Sequence, residues 1–238
     1  MADLTLPVAI LAGGLATRLQ PLTQMTPKSL VPVRGEPFIA HQLRLLRRKG
    51  IRRVVLCAGH LGERIREYIG DGSQFNLEVD YSFDGRQLLG TGGALRHAAP
   101  LLGEAFLVMY GDSYLDCDYG IVEQRFLESR KLGLMTVFRN QGRWDTSNVE
   151  FQNGRILRYS KTERTPSMSH IDYGLGALQS RALHQIPPGI PFDLARLYAG
   201  LLVLGQLAAF EVRERFYEIG SFAGIYELER RLNQGESD

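Results

Sequence analysis

Short apolar runs closed by glycine alternate with helix-period segments along the first half of the chain. Residues 6–11 form an apolar run that stops at Gly13-Gly14, the pattern of a buried strand feeding a glycine turn. Residues 15–37 contain Pro21, Pro27, Pro32 and Pro37, which exclude a continuous helix and predict a stiff, extended loop. A structureless loop of that length inside a compact domain points to function. Residues 38–49 place Ile39, Leu43 and Leu46 on one helical face and end in Arg47, Arg48 and Lys49 before Gly50. Residues 51–58 read as a second strand, followed by a helix near 63–69. Residues 79–83 and 105–110 are further strands, and between them Gly90-Thr91-Gly92-Gly93 opens a helix through about residue 99.

The second half is richer in strand patterns. Residues 134–138, 149–151, 156–159 and 173–178 read as strands, with Gln152-Asn153-Gly154-Arg155 as a hairpin turn. Residues 192–204 form an amphipathic helix, 208–212 a late strand and 222–232 a closing helix. Alternating strand, turn and helix predicts an α/β, Rossmann-like three-layer fold: a mainly parallel mixed sheet flanked by helices. The expectation is one domain over residues 1–238.

Composition narrows the partners. Lys plus Arg is 28 and Asp plus Glu 26, a net charge of +2, which gives no drive toward nucleic acid. Only four of the 28 basic residues are lysines: Lys28, Lys49, Lys131 and Lys161. The basic run from Arg44 to Arg53 lacks interleaved aromatics and reads as a solvated face. Cys57 and Cys117 have neither CxxC nor metal spacing, and Cys57 reads as a buried thiol in a reducing cytoplasm. No membrane contact is expected: no run reaches the roughly 18 apolar residues of a membrane span, and the N-terminus lacks a signal-peptide pattern. The expected location is cytoplasmic. The sequence neither requires nor excludes a homo-oligomer.

Several constellations carry chemistry. Gly13 and Gly14 let backbone approach a ligand closely and offer N–H groups to anionic oxygens. Thr17 adds a hydroxyl and Arg18 a forked cation. Lys28 follows Pro27 in the braced loop, where it can be aimed at the same phosphates. Gly-x-Gly-x-x-Gly and Gly-x-x-x-x-Gly-Lys-Ser/Thr are both missing, which disfavours a dinucleotide oxidoreductase and a P-loop NTPase. Asp112 directly follows a buried strand, at the sheet edge where open α/β sheets bind ligands. Asp116 and Asp118 read as solvated or capping, and Lys49 and Lys131 as surface residues.

The segment Gly13, Gly14, Thr17-Arg18-Leu19, Pro21-Leu22-Thr23, Pro27-Lys28, Pro32-Val33 resembles the signature of sugar-1-phosphate nucleotidylyltransferases. Ala16 departs from it where many members carry glycine. The resemblance implies a triphosphate held by Leu11, Ala12, Gly13, Gly14, Thr17 and Arg18, with Arg18 and Lys28 as the catalytic cations. Leu89-Gly90-Thr91-Gly92-Gly93-Ala94 is similar to the family loop under the nucleotide base, implying base contacts at Gly90, Thr91 and Gly92. Asp112 matches the family's first Mg²⁺ aspartate. Glu218, in Phe216-Tyr217-Glu218-Ile219-Gly220-Ser221, takes the place of the second, one methylene longer.

Lys161 matches the family lysine that contacts the sugar phosphate, although Ser160 and Thr162 replace the usual flanking Glu and Pro. Asp172 and Gly174 resemble the segment lining the sugar pocket; Asp172 reads equally well as a strand-edge carboxylate, and Asn148 as a sugar contact or a loop residue. The resemblance implies that residues 1–130 mainly bind nucleotide and residues 131–238 mainly bind sugar phosphate. Its partners are an NTP and a sugar 1-phosphate, and its cofactor is Mg²⁺. The chain ends soon after the last helix, so no appended β-helix acyltransferase domain is expected. Compact heptose- and mannose-1-phosphate guanylyltransferases look similar, favouring GTP with a manno-configured sugar. Amino-sugar-1-phosphate uridylyltransferases using UTP and a non-catalytic nucleotide-sugar sensor are the alternatives.

Overall fold

The computed structural model describes residues 4–14, 19 and 25–234. Thr17, Arg18 and the Pro21-Leu22-Thr23 stretch lie outside the described residues. In chain order the strands and helices are β1 (Val8–Ala12), β2 (Pro32–Val33), β3 (Glu36–Pro37), α1 (Phe38–Arg48), β4 (Arg53–Ala58) and α2 (Gly62–Ile69). β5 (Glu78–Phe83), α3 (Gly90–Leu102), β6 (Ala105–Tyr110), β7 (Ser113–Tyr114), α4 (Tyr119–Ser129) and β8 (Gly133–Phe138) follow. The remainder is β9 (Val149–Gln152), β10 (Arg155–Tyr159), β11 (Ile171–Gln179), α5 (Leu194–Val203), β12 (Leu207–Val212), β13 (Tyr217–Glu218) and α6 (Phe222–Gln234).

A seven-stranded sheet runs β12-β8-β11-β6-β1-β4-β5. β1 pairs in parallel with β4 and β6, and β8 with β12. β11 is antiparallel to both of its neighbours, β6 and β8. The sheet is therefore mixed but mainly parallel, as the alternating pattern predicts.

Alternate residues of each central strand feed two cores. Val8 and Ile10 pack with Ile39, Leu43 and Leu46 of α1, Ile65 and Ile69 of α2 and Phe126 of α4. Ala9 and Leu11 pack with Leu95 and Ala98 of α3 and Leu197 and Leu201 of α5. Helices cover both faces, which is why these strands read as continuous apolar runs rather than alternating ones. No helix among the described residues is long and apolar enough to cross a membrane.

A third cluster shapes the site: Leu19, Val31, Val33, Phe38, Leu45, Tyr114, Ile219 and Leu228 are all buried together. It ties the proline-rich segment to β7, β13 and α6. That segment corrects the expectation of an unstructured loop. Lys28–Leu30 make a 3-10 turn, and β2 and β3 form a hairpin turning at Arg34 and Gly35, both with positive φ (51° and 80°). Prolines exclude helix but permit edge pairing. One helix is not foreshadowed by the sequence, and one expected boundary is corrected. α4 is not evident in the apolar pattern, and it starts where the Asp118 carboxylate accepts the Ile121 amide at 3.1 Å. α5 starts at Leu194 rather than 192, because the Asp193 carboxylate caps it by accepting the Ala195 amide at 2.8 Å.

Candidate active site

The strands β1, β4, β5 and β6 all end at one edge of the sheet. A cavity of about 400 Å³ opens there, lined by residues that include Gly13, Lys28, Asp84, Thr91 and Asp112. Leu11, Ala12, Gly14, Gly90 and Tyr110 line it as well.

Asp112 is held in place by backbone rather than by chance of rotamer. The Gly111 amide donates to the Leu11 carbonyl at 2.9 Å, and a Cβ on Gly111 would lie 2.7 Å from that same oxygen. Only glycine lets this turn lie so close to β1. The buried Gln42 of α1 donates to the Tyr110 and Ser113 carbonyls at 3.2 and 2.7 Å, clamping the turn from below. Lys28 comes from the opposite side. Its 3-10 turn is closed by Leu30 N to Pro27 O (2.9 Å) and Val31 N to Lys28 O (3.1 Å), and Val31 is buried. The Lys28 ammonium meets the Asp112 carboxylate at 2.5 Å. Cation and carboxylate, 84 residues apart in sequence, thus meet in the cavity that Gly13 and Gly14 also line.

Glu218 does not line the cavity among the described residues, but the chain brings it close. β13 pairs antiparallel with β7, which sets Glu218 opposite Ser113, and the Ile219 amide donates to the Asp112 carbonyl at 2.9 Å. The two carboxylates expected at the metal are therefore on adjoining segments, Asp112 in the turn just before β7 and Glu218 in β13. No group of three or more His, Cys, Asp or Glu able to hold a metal occurs among the described residues. That donor set fits Mg²⁺, which is commonly held by one or two carboxylates together with substrate phosphates.

The glycine loop is packed differently from the expectation. The Gly92 and Gly93 amides donate to the Phe192 carbonyl at 2.8 and 3.2 Å. A Cβ on Gly92 would lie 2.9 Å from the Phe192 ring. Gly90 and Thr91 reach the cavity, whereas the Gly92 amide is spent on Phe192.

The residues expected to border the sugar phosphate gather beside Tyr110. Lys161 lies 3.4 Å from Asp193 Oδ1, with its ammonium 5.5 Å from the Tyr110 ring centre. Asp193 also accepts the Thr91 hydroxyl at 3.2 Å, linking the glycine loop to Lys161. Burial pushes the Asp193 carboxyl up, but the Ala195 amide, the Lys161 ammonium and the Thr91 hydroxyl together hold it below its ordinary value. Asp172 accepts the Tyr159 hydroxyl at 3.2 Å and the Gly174 amide at 3.1 Å. Burial raises its pKa, against the pull of the Gly174 amide and the Lys161 charge. The Asn148 side-chain oxygen accepts the Asp172 amide at 2.8 Å, where β11 bulges against β8. Asn148 thus has a structural duty in holding the Asp172 backbone. Gly174, at φ 97°, lies where a Cβ would touch the Tyr110 ring at 3.4 Å.

Sequence reasoning missed Asp84 and Asp193. Both were findable: Asp84 follows a strand into the same sheet edge as Asp112, and Asp193 stands directly before a helix. The Lys49 ammonium pairs with Asp116 at 2.7 Å. Cys57 is buried as expected, and burial pushes its thiol up to about 12.

Several known proteins resemble this chain. UTP–glucose-1-phosphate uridylyltransferase of Synechocystis is 27% identical over 203 residues, 78% of this chain and 52% of that protein. D-glycero-alpha-D-manno-heptose 1-phosphate guanylyltransferase of Campylobacter jejuni is 30% identical over 144 residues, 60% of this chain and 63% of that protein. The matches thus span between about half and under two thirds of those relatives. The crystal structure of HddC from Yersinia pseudotuberculosis shares the fold at a TM-score of 0.77 and 23% identity, covering 96% of this chain and 100% of that one. The nucleotidyl transferase family model matches residues 8–148, from the first strand through the glycine turn, Lys28 and Asp112 to Asn148, and the chain belongs to that family.

Proposed function

We propose that the protein joins an NTP and a sugar 1-phosphate to give an NDP-sugar and pyrophosphate. The observation that carries this reading is Lys28 meeting Asp112 in the sheet-edge cavity that Gly13 and Gly14 also line. A phosphate oxygen is already anionic, so the reaction needs neither a side-chain nucleophile nor a strong base. It needs positioning and charge neutralisation.

An oxygen of the sugar phosphate attacks the α-phosphorus and forms the new P–O bond. The bond from that phosphorus to the bridging oxygen of the β-phosphate breaks, and pyrophosphate leaves with its electron pair. The sugar C1–O bond stays intact, so the anomeric configuration is retained. Lys28 offsets charge on the α-phosphate. The Gly13 and Gly14 backbone, with Thr17, cradles the triphosphate, and Arg18 holds the departing pyrophosphate. Asp112 and Glu218 would hold Mg²⁺, which supplies further neutralisation of the triphosphate when bound. Lys161 exchanges Asp193 for the incoming sugar phosphate, and Asp172, Asn148 and Gly174 border the sugar. Residues 1–130 then serve mainly the nucleotide and residues 131–238 mainly the sugar phosphate. The work is cytoplasmic, where NTPs are made.

GTP with a manno-configured heptose or hexose 1-phosphate is the preferred pair, in keeping with the name of the Campylobacter relative. The test is a pyrophosphate-release matrix of the common NTPs against a panel of sugar 1-phosphates with Mg²⁺. Release with GTP and a manno-configured sugar is the expected result. Release confined to UTP and an amino-sugar 1-phosphate would replace the substrates, and silence in every well would replace the reaction with nucleotide-sugar sensing.

A further inference from the structure

Lys161 is one of only four lysines among 28 basic residues, and a lysine is a poor pointer by itself. Its stem is flexible, and here the side chain is 39% exposed. The backbone beneath it is firmly held. The Ser160 amide donates to the Asn148 carbonyl at 3.1 Å, and the Ser160 hydroxyl accepts the Thr162 and Glu163 amides at 3.3 and 2.9 Å. The Arg164 guanidinium donates to the Ser147 carbonyl at 3.0 Å. The turn that carries Lys161 is therefore tied on both sides to the segment entering β9. What remains to be fixed is the ammonium at its tip.

Two groups hold that tip. The ring of Tyr110 lies 5.5 Å from the ammonium, within reach of a cation–π contact. The Asp193 carboxylate stands 3.4 Å away. Asp193 is itself anchored. Its Oδ1 accepts the Ala195 amide at 2.8 Å and the Thr91 hydroxyl at 3.2 Å, and Thr91 Oγ1 in turn accepts the Leu194 amide at 2.8 Å. Thr91 and the start of α5 thus bond each other reciprocally. Thr91 and Tyr110 both line the sheet-edge cavity, so the aim of Lys161 is set by the walls of that cavity. At 3.4 Å the hold is looser than a charge-assisted hydrogen bond of about 2.8 Å, and an ammonium has three donors to share. The ammonium is held in place but can still be given up to a phosphate.

We propose that Asp193 is a positioning residue: with the Tyr110 ring it aims the Lys161 ammonium, so that the incoming phosphate meets a cation already in place. This rests on the nucleotidyl-transfer reading above, in which Lys161 holds the attacking sugar phosphate. In-line attack depends on where the phosphate oxygen stands, and a small misplacement is costly. The same carboxylate competes with the phosphate for the ammonium and repels its charge. Asp193 therefore loosens the resting hold on the sugar phosphate while it sharpens the reacting geometry. The first effect falls on KM and the second on kcat.

The test is steady-state pyrophosphate release by the whole protein with Mg²⁺, the NTP saturating and the sugar 1-phosphate varied, using the best pair from the matrix above. Wild type, Asp193→Asn, Lys161→Ala and the double variant are compared. Asn keeps an oxygen for the Ala195 amide and the Thr91 hydroxyl and caps a helix about as well as Asp, so only the charge is lost. Asp193→Ser, another capping residue without charge, runs the same cycle if the Asn variant melts early. The expected result is a kcat lower by at least about tenfold with a KM for the sugar phosphate that does not rise. On the Lys161→Ala background the same substitution should change kcat by less than about twofold, because a residue that acts through another has nothing left to act on. A merely structural role would repeat its full loss there, and that repeat would overturn the proposal. An unchanged kcat in the folded variant, or a raised KM, would overturn it too. If wild type turns over and Lys161→Ala does so equally well, the proposal fails and the reaction stands. If wild type releases no pyrophosphate with any pair, the reaction fails and takes the proposal with it.

Discussion

Replacing Lys28 by alanine separates chemistry from stability more sharply than any other change to this chain. The ammonium sits 2.5 Å from Asp112, with the two side chains 17% and 29% exposed. A pair this close to solvent contributes about 1 kcal/mol to folding. Losing it should lower the melting temperature by about 2–4 °C for a chain of this size. The catalytic cost is larger. A unit charge about 4 Å from a phosphate oxygen, at an effective dielectric near 20, is worth about 4 kcal/mol. Removing one preorganised stabilising group from an active site typically costs about 10²–10³ in turnover. Lys28→Ala should therefore lose about two to three decades of kcat while it still melts cooperatively within a few degrees of wild type. Pyrophosphate release under saturating substrates, read beside a thermal melt, decides it. A turnover within fivefold of wild type would refute the assignment of Lys28 to the α-phosphate. A collapse of the melting temperature would show that the pair is structural instead.

Three further outcomes are expected. Asp112→Asn should abolish metal-dependent turnover and weaken Mn²⁺ binding in the presence of NTP by at least about tenfold; electron paramagnetic resonance measures the binding, and unchanged Mn²⁺ affinity would remove Asp112 from the metal site. Gly92→Ala drives a methyl group against the Phe192 ring at 2.9 Å and should destabilise the fold by about 1–3 kcal/mol in urea melts; a neutral substitution would mean that the loop and Phe192 separate easily. Burial raises the Asp172 pKa above its unfolded value, so folding favours the protonated form. The contribution of this group to stability is therefore greatest below the unfolded pKa and falls as pH rises through the folded one. Asp172→Asn should gain stability relative to wild type as pH rises above the ordinary carboxylate range, and a difference flat with pH would refute the shift.

The long elements were legible because each depends on a local pattern. The run before Gly13, the amphipathic residues of α1 and the Asn153-Gly154 turn between β9 and β10 all carry their own instructions. β7 and β13 do not. Each has two residues, and they pair only because Tyr114 and Ile219 are buried in a shared cluster supplied by α1, β2 and α6. Asp112 was legible because an aspartate after an apolar strand marks a sheet edge. The same rule applies to Asp84, but the polar stretch Asp84-Gly85-Arg86-Gln87 reads locally as an ordinary surface turn. What hides it is the tertiary fact that β5 ends level with β1. The glycines at 92 and 93 mislead in the other direction, since their small size answers to Phe192 and the Ile190 carbonyl as well as to any ligand.

The reversed strand β11 also governs how the sheet can be assembled. It is the seam between the parallel block β5-β4-β1-β6 and the pair β8-β12, and it follows both β6 and β8 in the chain. Until it inserts, β6 and β8 each present an open edge of unpaired backbone groups. A nascent chain that has emerged only as far as Ser129 already holds four strands of the sheet, yet must wait for Ile171–Gln179 to cover β6. Closure by a distant segment is slow compared with local pairing. Aggregation during synthesis or refolding should therefore be most acute before β11 docks, and changes that slow this one strand should lower the yield of folded protein more than its stability.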